Sequence, residues 1–313
     1  MQQSQEIELL RAQTRRLVDR GLRPRTLEIE RERHIPGEIV VRLRELGCFE
    51  LTIPERYGGL GISTLAHLVV QELGSARAGI SMLISGNSCI GVMALVLHGT
   101  RAQRERWLPN LASGNWLAAF TLTEPNADSD AQAIETRAVR SGDDFILNGT
   151  THYISRDDIA HSITVFAITD NAAPARAGIT TFIVEKGTPG FTIARIQESM
   201  GSDAVKQGEL VFEDCRVSAD QVVGEVGPGF ATATRVLDLS HLALAARCLG
   251  AMEVPLALSA AHANRRVYFG KPIADQPVIA DTTTDIALLR PALSDAALRG
   301  DVDEDDDSGG RDA

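Results

Sequence analysis

The stretch LTEPNADSD at residues 122–130 follows an apolar run, and the stretch NGTTHYIS at residues 148–155 comes about two strands later. The first places hydroxyls and backbone N–H groups in a turn, and the second places a hydroxyl beside an aromatic ring. This combination suits a flat, anionic ligand with hydrogen-bonding edges. A flavin dinucleotide fits that description. The two stretches therefore predict a cofactor site within a strand-rich part of the chain.

Three further motifs accompany these stretches in a fixed order. They are IPERYGGLG at residues 53–61, EDCRV at residues 213–217 and RVYFGKPI at residues 266–273. Any one of them alone is a weak signal, but their joint occurrence at this spacing is specific. The sequence resembles the acyl-CoA dehydrogenase family from about residue 5 to about residue 290.

The hydrophobic periodicity divides the chain into helical, strand and helical thirds. With the resemblance, it predicts an α+β fold with an N-terminal helical domain (1–117), a middle antiparallel β domain (118–226) and an incomplete C-terminal helical domain (227–295). Strands are predicted at residues 136–139, 144–147, 163–168, 179–184, 191–196 and 209–212. Residues 296–313 are expected to form an acidic, disordered tail.

The C-terminal helical domain is expected to hold one complete helix and a second one that starts near Ile279. Pro255 should kink the first helix, and Pro291 should interrupt the second. The resemblance implies a bundle of four helices, so apolar faces of the first helix should be left partly uncovered. The residues concerned are Leu239, Leu242, Ala246 and Leu249. Such a surface implies a partner subunit or marginal stability.

Composition excludes several classes of protein. The net charge is −11, and residues 301–313 supply −6 of it, which argues against a nucleic-acid partner. The four cysteines are far apart, so we expect neither a zinc site nor disulfides, only buried thiols. No uninterrupted apolar run approaches membrane-spanning length and the N-terminus is polar, so we expect a cytoplasmic protein without a membrane partner.

The resemblance implies FAD as the cofactor and assigns residues to its ring end. Leu122 and Thr123 of the first stretch and Tyr153 and Ser155 of the second would contact the isoalloxazine ring, and Ser129 would contact the pyrophosphate. Backbone amides and hydroxyls aimed at the ring tune how readily it accepts hydride. The alternative is that these hydroxyls only satisfy strand ends.

A second group of residues is implied at the other end of the cofactor. Arg266 and Phe269 match positions that reach the adenine and pyrophosphate of a neighbouring subunit's flavin, a role that requires a homo- or hetero-oligomer. The guanidinium fork suits phosphate oxygens, although a helix-end arginine also caps carbonyls. The resemblance also implies an adenine contact for Gln276, which lies one residue closer to Phe269 than in the family.

The reaction implied is α,β-desaturation of an acyl-CoA in fatty-acid β-oxidation or a related pathway, with electron-transfer flavoprotein as a possible partner. It needs a carboxylate base of raised pKa. Most relatives place that base in a late loop beyond residue 313, and a minority place it where this sequence has Ser240. His241 is a poor substitute because it points about 100° away on the helix, and Asp238 lies on another face. We therefore expect little activity from this chain alone.

Other departures from the family pattern surround the cofactor motifs. Asp128 replaces a glycine in the pyrophosphate turn and should weaken flavin binding, and Arg156-Asp157 replaces the usual Asn-Gly. Two other functions stay open. One is a non-catalytic partner that lends Arg266 and Phe269 to a complete subunit, and the other is a flavin oxidase or monooxygenase of the same fold.

Overall fold

The structure is a computed structural model that describes residues 2–62, 66–76, 78–155 and 160–302. Arg156-Asp157 and residues 303–313 of the predicted tail lie outside the described residues. Contacts divide the chain into two compact units. A helical unit takes the described parts of 1–26, 64–81 and 241–313, and a β-containing unit takes those of 27–63 and 82–240.

Seven α-helices precede the sheet in the described part of the chain. They are α1 (Gln2–Leu17), α2 (Thr26–Glu32), α3 (Gly37–Glu45), α4 (Ala66–Ala76), α5 (Ala78–Ser85), α6 (Met93–His98) and α7 (Arg101–Ala112). Local sequence sets their ends. The Thr100 hydroxyl accepts the Gln103 N–H and the Gln103 side chain accepts the Thr100 N–H, so a capping box starts α7. Gly47 adopts a left-handed φ of 72° just after α3, where a side chain would be strained.

Eight strands form one sheet in the β-containing unit. They are β1 (Ala118–Thr121), β2 (Arg137–Ser141), β3 (Asp144–Ser155), β4 (Ser162–Ile168), β5 (Ile179–Glu185), β6 (Phe191–Gln197), β7 (Gln207–Ser218) and β8 (Val222–Val223). A short helix, α8 (Ala175–Gly178), precedes β5. The order is β6-β7-β3-β2-β4-β5-β8, with β1 also paired to β4. Buried side chains of this sheet, including Phe145, Phe182 and Phe212, form its core.

The α+β fold class is confirmed, but the sheet is mixed rather than antiparallel. β1 pairs with β4 in parallel, and Arg137 of β2 forms a parallel bridge with Ile168 of β4. Parallel neighbours need a crossover connection, and residues 122–161 between β1 and β4 provide one. Those residues contain both cofactor stretches.

The chain ends in two long helices joined by a hairpin. These elements are α9 (Gly229–Arg265), β9 (Val267–Tyr268), β10 (Lys271–Pro272) and α10 (Pro277–Val302). The expected interruption at Pro291 was wrong, because α10 continues through it to Val302, past residue 295. α9 likewise continues through Pro255. An interior proline removes one backbone hydrogen bond but does not have to end a helix that packing supports.

The apolar face of α9 is better covered than expected. Ala246 and Leu249 are buried, and Leu239 and Leu242 are half-buried. Within the helical unit, a Cβ on Gly250 would lie 2.0 Å from the Gln71 carbonyl oxygen of α4. This glycine therefore lets the two helix backbones approach closely, and α4 supplies cover that α9 was expected to lack.

Among the residues that the structure describes, two helical stretches are long and apolar enough to cross a membrane, contrary to the expectation from the sequence. They are Gly79–His98, which is 78% buried, and Gly229–Arg265, which is 22% buried. Length and composition alone are weak evidence of a membrane span, and the first stretch is buried as a core helix is. The cysteines also differ from expectation, since Cys48, Cys89 and Cys215 are buried but Cys248 is exposed. Burial raises the pKa of the Cys89 thiol to about 12.

Candidate functional site

The first cofactor stretch begins where β1 ends. Leu122 and Thr123 are half-buried, and the chain then turns so that the Glu124 N–H donates to the Ala127 carbonyl at 2.8 Å. The Glu124 carboxylate is buried and accepts the backbone N–H groups of Glu135, at 2.5 Å, and Thr136, at 3.0 Å. Its oxygens are occupied by these amides, so Glu124 fixes the turn and is not free to act as a base.

The second stretch forms the end of β3. The pairing of β3 with β7 shifts register between Thr151 and Ile154. Within this bulge, Tyr153 adopts a left-handed φ of 58°, and its side chain is 61% exposed. A bulge re-aims a side chain away from the normal alternation, and a tyrosine in this backbone region is uncommon. The fold therefore holds one aromatic ring at the surface beside the half-buried Ser155.

The two stretches are joined directly. The His152 N–H donates to the Thr123 carbonyl oxygen, with an N···O distance of 2.8 Å. This bond places the residue before Tyr153 against the residue after Leu122, so the predicted ring-end residues from both stretches lie in one region.

His152 is a residue of this region that the sequence reasoning missed. Its Nε2 lies 3.1 Å from the Glu209 Oε2 of β7, and its ring lies perpendicular to that of Tyr153, with centroids 6.0 Å apart. The imidazole therefore braces the tyrosine from one side. The signal was hidden because it depends on β7, whose predicted span began at Glu209 and had no assigned partner strand.

The predicted pyrophosphate turn is open to solvent. Ser129 and Asp128 are both exposed, and the Asp128 Oδ1 lies 3.5 Å from the Thr123 Oγ1. A carboxylate at this distance competes for the hydroxyl proton of Thr123 and repels an anion. The assignment of Ser129 to a pyrophosphate stays a prediction.

The second predicted group lies in the helical unit. Arg266 and Gln276 are exposed, and they flank the β9–β10 hairpin, in which the Ile273 N–H donates to the Arg266 carbonyl at 2.9 Å. Phe269 is 89% exposed with a left-handed φ of 48°. Its ring contacts that of Tyr268, with centroids 4.3 Å apart.

The resemblance implies that a minority of relatives carry the base at the α9 position of Ser240. Ser240 is half-buried, and its hydroxyl donates to the Leu237 carbonyl at 2.8 Å. Asp238 and His241 are exposed. A serine hydroxyl that donates to its own helix backbone is bound locally, and it is not a carboxylate base.

The ring-end region has the donor set that a flavin needs. It offers neutral hydroxyls, backbone amides and an exposed aromatic ring, which together can hold a flat heterocycle with hydrogen-bonding edges. The left-handed backbone at Tyr153 supports the same conclusion, because strained residues persist where the surroundings fix them and cluster at ligand sites. The residues therefore fit the ring end of a flavin, whereas Asp128 suits its phosphates poorly.

Family models for the three domains of acyl-CoA dehydrogenases match the chain in order. The N-terminal domain model matches residues 4–115, the middle domain model residues 119–215 and the C-terminal domain model residues 227–309. Acryloyl-CoA reductase (NADH) from Anaerotignum propionicum is 36% identical over 306 residues, a match that covers 96% of this chain and 77% of that relative.

Solved structures of acyl-CoA dehydrogenases are also similar to this chain. Butyryl-CoA dehydrogenase from Megasphaera elsdenii superposes with a TM-score of 0.88 at 33% identity, covering 94% of this chain and 79% of that one. A glutaryl-CoA dehydrogenase from Mycobacterium smegmatis, solved in complex with FADH2, gives 0.83 at 27% identity and covers 98% of this chain and 78% of that one. On these matches the chain belongs to the acyl-CoA dehydrogenase family.

Proposed function

We propose that this protein binds FAD and acts as an oxidoreductase on an acyl-CoA thioester, removing hydrogen from its α and β carbons. The observation that carries the proposal is the hydrogen bond of 2.8 Å between the His152 N–H and the Thr123 carbonyl. It joins the two stretches whose residues suit a flavin ring. Electron-transfer flavoprotein is the partner class that would reoxidise such a flavin.

The chain's own residues would hold the ring from two sides. Thr123 and Ser155 offer hydroxyls, and Tyr153 offers an aromatic face braced by His152. A bound flavin supplies the hydride acceptor. The fixed amides of the turn after β1 add oriented dipoles, which need no reorganisation when charge develops on a ligand.

Proton removal is the weak part of this site. The hydroxyl of Ser240 is bonded to the Leu237 carbonyl, and a serine hydroxyl without a partner base cannot hold the proton. Removing a general base typically costs ~10²- to 10⁴-fold in rate. We therefore propose that the proton-transfer step is slow in this chain because position 240 holds no carboxylate.

Ser240→Glu tests this proposal. The half-buried environment should raise the pKa of the new carboxyl toward neutrality and make it a usable base. We expect bleaching of the flavin absorbance by an acyl-CoA to become ~10²- to 10⁴-fold faster than in the wild type. Ser240→Gln has nearly the same shape without the charge, so it should react like the wild type.

Three results would contradict parts of the proposal. Rapid bleaching of the wild type would mean that another residue is the base, with His241 the first to replace. A colourless protein that cannot be loaded with FAD would contradict the ring-end site. Oxygen consumption with no bleaching by thioesters would favour an oxidase or monooxygenase of the same fold.

A further inference from the structure

A cavity lies in the helical unit and shares no residue with the ring-end region. Its volume is about 530 Å³, within the ~300–1,000 Å³ range of small-molecule sites. Four arginines line it, namely Arg11, Arg15, Arg23 and Arg290, together with one acidic residue, Glu253. Val254 and Leu258 of α9 form part of an apolar wall.

Two of the arginines are fixed by a buried carboxylate. The side chain of Glu72 in α4 is 2% exposed. It accepts the Arg11 Nε at 2.9 Å and the Arg15 Nη2 at 2.9 Å, and it also contacts the Arg15 Nε. These bonds raise the pKa of Arg15. One carboxylate thus orients two guanidinium groups at the cavity and balances only one of their charges.

A second carboxylate at the cavity holds a single arginine. Glu253 of α9 accepts the Arg290 Nη2 at 2.5 Å and the Gln71 Nε2 at 2.6 Å. Arg23 donates to the Ser75 hydroxyl at 3.4 Å. The four arginines therefore share one buried carboxylate, Glu72, and one half-buried carboxylate, Glu253.

The remaining acidic partners are weak. Glu8 pairs with Arg11 at 3.7 Å and Asp19 pairs with Arg23 at 3.3 Å, and both acidic side chains are more than half exposed. Solvent-exposed pairs of this kind contribute little. Among the described residues, Glu72 and Glu253 thus balance two of the four guanidinium charges, and only the exposed Glu8 and Asp19 balance the other two.

We propose that this cavity binds a phosphate-bearing anion. Guanidinium forks pair with phosphate oxygens in a bidentate manner. A phosphate offers at least three acceptor oxygens, which can use guanidinium groups from α1 and α10 together, whereas a carboxylate offers two. The apolar side chains of Val254 and Leu258 would contact the organic part of a phosphate-bearing compound. The phosphate could belong to a soluble compound or to a lipid headgroup.

Isothermal titration with inorganic pyrophosphate tests the proposal without reference to flavin content. The wild type should bind, and Arg290→Gln should bind about tenfold more weakly, because a charge-assisted hydrogen bond is lost. Glu253→Gln keeps the shape of the Arg290 partner but removes its charge, so it should bind several-fold more tightly. Arg16→Gln, on α1 but outside the cavity lining, is the matched control and should bind like the wild type.

A parallel measurement identifies the source of the phosphate. Co-sedimentation with phosphatidylcholine vesicles, with and without phosphatidylglycerol, uses the same four proteins. A lipid headgroup would be supported as the ligand by binding to the vesicles with phosphatidylglycerol and not to those without it. The variants should then rank as they do for pyrophosphate. No binding to pyrophosphate or vesicles, or binding that ignores both Arg290→Gln and Glu253→Gln, would overturn the proposal. Glu253→Gln remains decisive if Arg290→Gln does not fold, since its expected effect is a gain.

Discussion

The ring-end region and the β9–β10 hairpin both display an aromatic residue in left-handed backbone conformation, but they are supported differently. Tyr153 has a φ of 58° and Phe269 a φ of 48°. Tyr153 is fixed by the strand bulge, by the neighbouring bond to Thr123 and by the His152 ring. The only ring contact of Phe269 among the described residues is with Tyr268, which is itself exposed.

This difference lies in what surrounds each aromatic ring, not in the backbone conformation that the two residues share. A left-handed backbone conformation costs roughly 1–2 kcal/mol for a residue with a side chain, and large exposed aromatic residues mark binding surfaces. At Tyr153 the unit's own contacts offset that cost. At Phe269 the hairpin itself accounts for the conformation, because Phe269 and Gly270 form the two-residue β9–β10 loop and both have a positive φ, as a type I′ turn requires. The proposed function therefore makes separate predictions for the two regions, with the exposed ring of Phe269 available to a neighbouring subunit and Tyr153 available to a ligand of its own chain.

Arg266→Gln should have the largest effect on this comparison. If the hairpin reaches the phosphates of a neighbouring copy's flavin, the loss of charge-assisted hydrogen bonds worth ~1.5–3 kcal/mol should weaken FAD retention about 10- to 150-fold. The flavin-to-protein ratio after gel filtration measures this. Arg265→Gln is the matched control, because Arg265 is the adjacent arginine and donates to the Ala261 carbonyl of its own helix.

The oligomeric state in solution distinguishes a second copy of this chain from a complete relative as the partner. Retention that falls with dilution, in step with a shift from oligomer to monomer, would support a second copy as the partner. A wild type that gains flavin only when it is mixed with a complete relative would support a hetero-oligomer. An equal flavin ratio for Arg266→Gln and the wild type would show that the hairpin has no part in cofactor binding.

Replacing both Thr123 and Ser155 with alanine should have the next largest effect. Each hydroxyl contributes about 1 kcal/mol if it donates to the ring, so retention should fall about 10- to 30-fold. Unlike the hairpin effect, this one should not depend on protein concentration. Thr192→Ala on β6, whose side chain is exposed, controls for the general loss of a hydroxyl. Unchanged retention would remove both residues from the site.

The sequence predicts a structural feature well when the cause of that feature lies within one segment of the chain. The buried strands β4 and β5 were predicted within one residue, because both are short runs rich in β-branched and aromatic residues. β3 was predicted to end at Leu147 but extends to Ser155. Its two register shifts break the alternation of buried and exposed side chains, so a period of two could not detect the rest of the strand.

In the candidate site, too, features that arise within one segment were predicted and contacts between distant segments were not. Thr123 and Tyr153 were found from short motifs that lie within one segment each. The contact of His152 with Glu209 joins residues on different strands and follows from the bulge. The cover that α4 gives α9 likewise depends on a close approach at Gly250. Neither contact leaves a periodic signal in the sequence, because each requires pairing between distant segments.

Asp128→Asn should produce a smaller change of opposite sign. The Asp128 carboxylate lies 3.5 Å from the Thr123 hydroxyl, and removing its charge should tighten flavin binding by a few-fold. The gain should shrink at high ionic strength, because the side chain is exposed and salt screens it. Titration of the apoprotein with FAD at low and high salt measures both effects. A gain that does not vary with salt would point to a change in turn geometry instead of repulsion.

Glu209→Gln should have the smallest effect and tests the brace behind Tyr153. The pair of His152 with Glu209 is partly exposed, and such pairs contribute ~1 kcal/mol or less, so FAD retention should fall by no more than about fivefold. The more sensitive readout is the fluorescence of bound flavin, because a looser tyrosine ring quenches it less uniformly. Glu213→Gln, on the exposed side of β7, should leave both signals unchanged. If Glu209→Gln also leaves the fluorescence unchanged while Tyr153→Ala alters it, then the strand bulge alone positions the tyrosine and His152 is only a neighbour.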